Sequence, residues 1–268
     1  MPTIGSYGYG DYTPLKVAHF GDLIRAHLKI VQQVYANNHW CDHTYRFFDL
    51  TAGPGVHPQD GSAQSPLVYV NAIREMMFPH RSYFFERDQA AFASLAETLR
   101  GVPGCHCVCA DHRRELLPRV ADSMPINRDR YYGLVYYDVT PCAEQFDTLR
   151  LLAELTTQPR FGRIDFLIYA SAAVIKRLRA HADGSRLSTI LRGFQKRLWL
   201  VRDTFDSQHQ WTFLLGTNWN GYKAYPKLRL FRLDEEEGQA IYARLEMTER
   251  ERKEEQAGRG LLPFPVGG

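Results

Sequence analysis

The chain has too few cysteines to be held together by disulfides. Five in 268 residues is an odd number, and none falls in a short paired framework, which points to a reducing compartment. No run of about 18 apolar residues is present, so no helical membrane span is expected. No basic segment leads into an apolar run near residue 1, so no secretory leader is expected. Internal repeats and low-complexity tracts are missing too. An excess of one charge is likewise lacking: 33 Lys and Arg against 30 Asp and Glu leave +3, which permits contact with nucleic acid without demanding it. The expectation is a soluble, cytoplasmic protein with no membrane partner. At 44% hydrophobic, it has enough apolar residues for one substantial core.

Two phosphate-binding signatures are absent as well. Gly53 and Gly55 begin a dinucleotide-type spacing, but Pro58 stands where its third glycine belongs. No Gly-Lys-Ser/Thr phosphate loop occurs anywhere in the chain. Nicotinamide and flavin dinucleotides are therefore disfavoured.

What the chain does have is a repeated strand-then-acid pattern. The first strand is expected at Tyr45–Leu50, where Phe47-Phe48-Asp49-Leu50-Thr51-Ala52-Gly53-Pro54-Gly55 is an apolar run ending in an acid and then a turn with two glycines. Glycine suits such a turn because it tolerates positive φ and has no Cβ to hold a ligand away. Further strands are expected at Ser82–Phe85, Cys105–Cys109, Gly133–Tyr137 and Ile164–Tyr169. Helical spacing lies between them, near Leu67–Met77, Gln89–Leu99, Arg113–Ala121 and Glu144–Leu155, and precedes them from Lys16 to about Ala36. A long basic helix is expected over Ala172–Arg197. A closing hairpin is expected from Trp211–Leu215 and Leu228–Leu233, across loop 216–226.

Alternating β and α elements imply a Rossmann-like, doubly wound α/β sheet, mostly parallel, with an antiparallel strand near the C-terminal end. Three regions follow: an arm and helix over 1–40, the sheet domain over 41–233, and a charged, solvated helix or tail over 234–268.

In such sheets ligands bind beyond the carboxyl ends of the strands. Four successive strands are followed there by acids: Asp49, Glu86, Asp111 and Asp138. A carboxylate ending the second strand can accept from two ribose hydroxyls, and one after the third from an adenine amine. Asp49 and Asp138 suit an amino group or a sulfonium. Asp88 reads as the cap of the following helix, and His112 as a surface residue.

The pattern resembles the class I S-adenosylmethionine-dependent methyltransferases over about residues 45–233, with Asp49–Gly55 standing for their first glycine motif. More narrowly, the chain is similar to the three-Cys-motif partner family. That likeness lies in the helix with Lys16 and His19, in Asp49–Gly55, in the loop with Gly61 and Ser65-Pro66-Leu67, and in Phe84-Phe85-Glu86-Arg87-Asp88. The resemblance implies S-adenosylmethionine as cofactor. Asp49, Ala52, Gly53 and Gly55 would cradle its methionine part, Glu86 the ribose and Asp111 the adenine, with Asp138 beside the methyl group.

The segment after the fourth strand sets substrate chemistry in this fold. Amino-directed nucleic-acid methyltransferases resemble one another in carrying Asn/Asp-Pro-Pro-aromatic there, whose acid and prolyl carbonyls hold the amine. Here Asp138-Val139-Thr140-Pro141 keeps the acid and one proline, so Asp138 and Pro141 are the candidate catalytic positions. A nucleophilic Cys142 is disfavoured, because Tyr169-Ala170-Ser171-Ala172 offers no acid after strand five. Cys105, Cys107 and Cys109 alternate along a strand and converge poorly on a metal, so they read as core residues.

Arg163, Lys176, Arg177, Arg179, Arg186, Arg192, Lys196, Arg197 and Arg202 lie near Trp199, Trp211, Trp219, Tyr222 and Tyr225. That composition suits a phosphate backbone with stacked bases, and loop 216–226 is placed near the substrate pocket. The expected activity is methylation of a nucleic-acid base. Alternatives are a catalytically inactive cofactor-binding module serving a protein partner, and a small-molecule methyltransferase. Oligomeric state is not legible.

Overall fold

The computed structural model describes residues 13–124, 130–138, 145–173, 175, 187–203, 211–224, 226–247 and 254. Eight strands form one sheet in the order β3-β2-β1-β4-β5-β7-β6-β8. They are β1 Tyr45–Asp49, β2 His80–Glu86, β3 Cys105–Cys109, β4 Gly133–Asp138, β5 Ile164–Ser171, β6 Leu198–Arg202, β7 Trp211–Thr217 and β8 Leu230–Arg232. The first five pair in parallel. β7 then runs antiparallel between β5 and β6. The sheet is thus the doubly wound, mostly parallel arrangement that the alternating pattern implies.

Described helices are α1 Thr13–Asn37, α2 Ser65–Glu75, α3 Gln89–Thr98, α4 His112–Ser123, α5 Gln145–Leu155, α6 Leu187–Gly193 and α7 Glu236–Glu246. Alternate residues of each strand feed two cores. Phe47, Phe84, Tyr136, Leu167 and Phe213 face the side covered by α1, α2 and α3. Phe48, Phe85, Val135, Ile168 and Leu214 face α4, α5, α6 and α7. On the first face Phe47 stacks on Tyr69 of α2, with centroids 3.8 Å apart and planes within 8°; such a pair contributes about 1 kcal/mol beyond its burial. α1 lies there because Phe20, Leu23, Ile24, Leu28, Val31 and Tyr35 recur at helical spacing and are all buried.

β1 is flanked by β2 on one side and β4 on the other. Its outgoing helix α2 and the helix α5 after β4 lie on opposite faces. The order reverses there, so the gap between the carboxyl ends of β1 and β4 is the natural binding crevice.

Three expectations need correction. The closing hairpin does not form: β6 pairs with both β7 and β8 and separates them. Leu198–Arg202 gives no strand signal of its own, because its apolar run follows basic residues that carry a helical period. The long helix over Ala172–Arg197 ends early, since α6 stops at Gly193 and β6 begins at Leu198; residues 174 and 176–186 lie outside the described set. The three strand cysteines are not core residues either. β3 is an edge strand, so Cys105 and Cys107 are half-buried and Cys109 is exposed. In the charged C-terminal region, α7 buries Tyr242 and Leu245 against the sheet. No described helix is long and apolar enough to cross a membrane.

Candidate active site

β1 ends in Asp49, whose side chain is fully buried. Its Oδ1 accepts from the Thr51 amide at 3.1 Å, and its Oδ2 accepts from the Ser65 hydroxyl, at the start of α2, at 2.9 Å. These donors favour the charged form, but burial outweighs them. With Asp138 and Glu86 adding negative charge, the Asp49 carboxyl is pushed up to about 7. The site is short of positive charge at its deepest carboxyl.

The turn beyond it is held from β2. Gly53 has φ of +64°, and its amide donates to Glu86 Oε2 at 2.9 Å. The other Glu86 oxygen accepts from the Asp88 amide at 2.8 Å. Each oxygen therefore keeps a lone pair for a further donor. Asp88 caps α3 as expected, accepting from the Ala91 amide at 2.9 Å.

Asp138, at the end of β4, donates its backbone amide to Thr51 Oγ1 at 3.1 Å. The ends of β1, β2 and β4 and the first residue of α2 are thereby linked in one hydrogen-bonded circuit. It brings together Asp49, Gly53, Glu86 and Asp138. Pro141 and Cys142 lie outside the described residues.

The other predicted positions have local duties. Ala52 is buried, and its amide donates to Phe85 O at 3.0 Å, extending the β1–β2 pairing. Gly55, with φ of +81°, faces α3: a Cβ there would sit 3.2 Å from Thr98 Cγ2. Asp111 caps α4 through the Arg113 amide at 2.9 Å and grips the Arg113 guanidinium, with Nε 3.0 Å from each oxygen. That hydrogen-bonded cation holds its carboxyl well below the usual range.

Sequence reasoning undervalues two residues. Lys16, in the first turns of α1, forms an ion pair with Asp138 and lies 4.2 Å from the centroid of the Tyr169 ring. The two partners stand 122 positions apart in the chain, and only the packing of α1 on the sheet reveals the pair. His112 is half-buried, not a surface residue. It meets Thr148 Oγ1 at 3.0 Å and the Tyr137 ring at 5.7 Å, and burial lowers it to about 4.

Among the described residues, the basic-aromatic segment does not gather its cations at this crevice. Lys196 is held by Phe161 O at 2.7 Å, and burial lowers it to about 8. Arg202 and Trp211 are buried. β7 runs antiparallel, so Gly216 pairs with Phe166 near the start of β5. Loop 216–226 therefore sits at the opposite end of the sheet. Lys176, Arg177, Arg179, Arg186 and Tyr225 lie outside the described residues. Among those described, no group of three His, Cys, Asp or Glu side chains could hold a metal ion.

No protein-family model matches the chain, and no curated protein matches it by sequence. Solved structures do resemble it. Protein LPL1258 from Legionella pneumophila superposes with a TM-score of 0.51 at 12% identity, over 78% of this chain and 89% of that one. An rRNA methylase from Streptococcus thermophilus gives 0.42 at 10% identity, over 77% and 97%. Aeropyrum pernix fibrillarin, solved with S-adenosyl-L-methionine bound, gives 0.40 at 14% identity, over 66% and 67%. At these identities the likeness concerns fold alone, and of the three only LPL1258 superposes closely enough to bear on it.

Proposed function

We propose that this chain is an S-adenosylmethionine-dependent methyltransferase acting on an amino group of a nucleic-acid base. The observation that carries the reading is the Asp49–Glu86–Asp138 set at the switch point, with Asp49 buried among acids and touching no cation among the described residues. Such a site favours a ligand that brings positive charge and several donors, and it disfavours a phosphate.

The residues fit that cofactor. The unused lone pairs of Glu86 suit a vicinal diol, and Asp49 is poised to ionise as a cation arrives. Asp111 takes the adenine amine only where Arg113 gives up one of its contacts, since both carboxylate oxygens are held by Arg113. Ala52 and Gly55 shape the turn from behind. When bound, the cofactor would supply an electrophilic methyl group on a sulfonium. The protein's share is orientation and exclusion of water. Asp138 holds the acceptor amine and takes its proton, which requires Lys16 to give way; Pro141 is kept as a catalytic candidate on its sequence position alone. The narrower kinship with three-Cys-motif partner proteins is proposed on Lys16, His19 and the Asp49–Gly55 turn.

Calorimetry with S-adenosylmethionine tests the cofactor. Glu86→Ala removes two charge-assisted hydrogen bonds and should weaken binding by about 1–3 kcal/mol. Transfer of tritiated methyl onto DNA or RNA tests the acceptor. Binding without transfer to any acceptor would leave a cofactor-binding module, and no binding at all would end the proposal.

A further inference from the structure

The amino-terminal end of the sheet, opposite the crevice, carries two exposed tryptophans and a set of arginines. Trp40, which precedes β1, is 42% exposed, and Trp219, which follows β7, is 38% exposed. Both rings are fixed from behind. Trp40 donates from Nε1 to Asn38 Oδ1 at 2.9 Å, and the Arg163 guanidinium lies 4.6 Å from its ring centroid. Trp219 meets Tyr222 edge-on at 5.0 Å. It lies so close to Gly221 that a Cβ there would fall 1.8 Å from the indole. Glycine at 221 is what lets the indole lie flat against the backbone.

The two rings belong to one patch. Asn218 donates to Gly162 O at 2.7 Å and accepts from the Arg197 amide at 2.6 Å. This brings Trp219 and Arg197 beside Arg163, which also donates to Tyr132 Oη at 2.8 Å. Arg130, whose carbonyl accepts from the Asp42 amide at 3.1 Å two residues after Trp40, is exposed, as are Arg163 and Arg197. The carboxylates near them are engaged: Asp42 by Arg46 at 2.9 Å, and Asp165 within the buried interior.

We propose that this face binds single-stranded nucleic acid, with bases stacked on Trp40 and Trp219 and phosphates held by Arg130, Arg163 and Arg197. Preset aromatic rings among cations, with the nearby acids already engaged, are what such binding needs. The inference extends the nucleic-acid part of the reading above. Its test uses no cofactor, so its failure is distinct from failure of methyl transfer.

The chain has four tryptophans, and Trp211 is buried while Trp199 packs against the core. Quenching of intrinsic fluorescence by an oligo-dT or oligo-U of about twenty nucleotides therefore reports mainly on the two exposed rings. Trp40→Ala and Trp219→Ala should each weaken binding by at least about five-fold, and Trp219→Phe should restore most of the loss. Arg163→Met with Arg197→Met should flatten the salt dependence, by about 0.7 in log–log slope for each phosphate deprived of its cation. Absence of quenching in the parent protein overturns the proposal. So does unchanged affinity in tryptophan variants of parental melting temperature. If those variants do not fold, an unchanged salt slope in the arginine variant overturns it.

Discussion

Asp49 and Asp165 are carboxylates of the same sheet, one at the carboxyl end of β1 and the other near the amino end of β5. Their surroundings differ in kind. Asp165 Oδ2 is met by His27 Nε2 at 3.2 Å, Thr217 Oγ1 at 3.0 Å and Tyr222 Oη at 3.1 Å. His27 is in turn 2.9 Å from Tyr45 Oη. That network ties α1, β1, β5 and the residues after β7 together, and its donors are spent on the protein itself. Asp49 has, among the described residues, one hydroxyl and one amide, no cation, and two more carboxylates nearby. The Asp165 carboxylate has its polar needs met by the protein itself, while the Asp49 carboxylate keeps unmet demand for donors and positive charge. Unmet demand of that kind is what marks a ligand site.

The largest expected effect would break this comparison at Asp49. Unfolded, its carboxyl titrates near 3.8; folded, near about 7. Between these values the folded state holds a proton that the unfolded state has lost. Its contribution to stability is therefore complete below pH 3.8 and declines as pH rises through 7, by roughly 4 kcal/mol. Asp49→Asn, which mimics the neutral form, should remove that decline and leave the protein more stable than its parent at about pH 8. Urea unfolding across roughly pH 4–8 measures it, and an identical slope in the two proteins would show that Asp49 is not the group responsible.

Next comes Asp165→Ala, which strands Thr217, Tyr222 and His27 in the interior. A loss of about 3 kcal/mol is expected in the same assay. S-adenosylmethionine affinity should stay unchanged in whatever fraction is folded. A loss of affinity instead would mean that the two ends are coupled. The smallest effect is expected at Lys16→Met, which keeps packing on Tyr169 but leaves Asp138 without its cation. Stability should drop by no more than about 1 kcal/mol. A cationic ligand should bind as well or better, and weaker binding would give Lys16 a direct role toward the ligand.

Much of the parallel half was readable from the residues. β3 has the same bounds in the pattern and in the structure, and β1, β2, β4 and β5 differ by about one or two residues at an end, because buried parallel strands are short apolar runs between turn signals. The antiparallel half was harder. Leu198–Arg202 directly follows the segment expected as a basic helix, and it becomes a strand where β7 and β8 pair on its two sides. The orientation of β7 then decides which end of the sheet receives Trp219. In the site, Asp49, Gly53, Glu86 and Asp138 were legible because strand ends converge by topology. The ion pair of Lys16 was not, and neither was the capture of Asp111 by Arg113, whose two positions are neighbours in any conformation.

By itself the sequence determined that strands and helices alternate, where each strand stops, and that an acid follows four of them, since these depend on local apolar runs and turn residues. Only the tertiary structure decided which acids share a space and which are already taken. It also decided on which end of the sheet each tryptophan lies. The cation on Asp138 and the burial and neighbouring acids at Asp49 come from segments far apart in the chain, and no local pattern encodes their meeting.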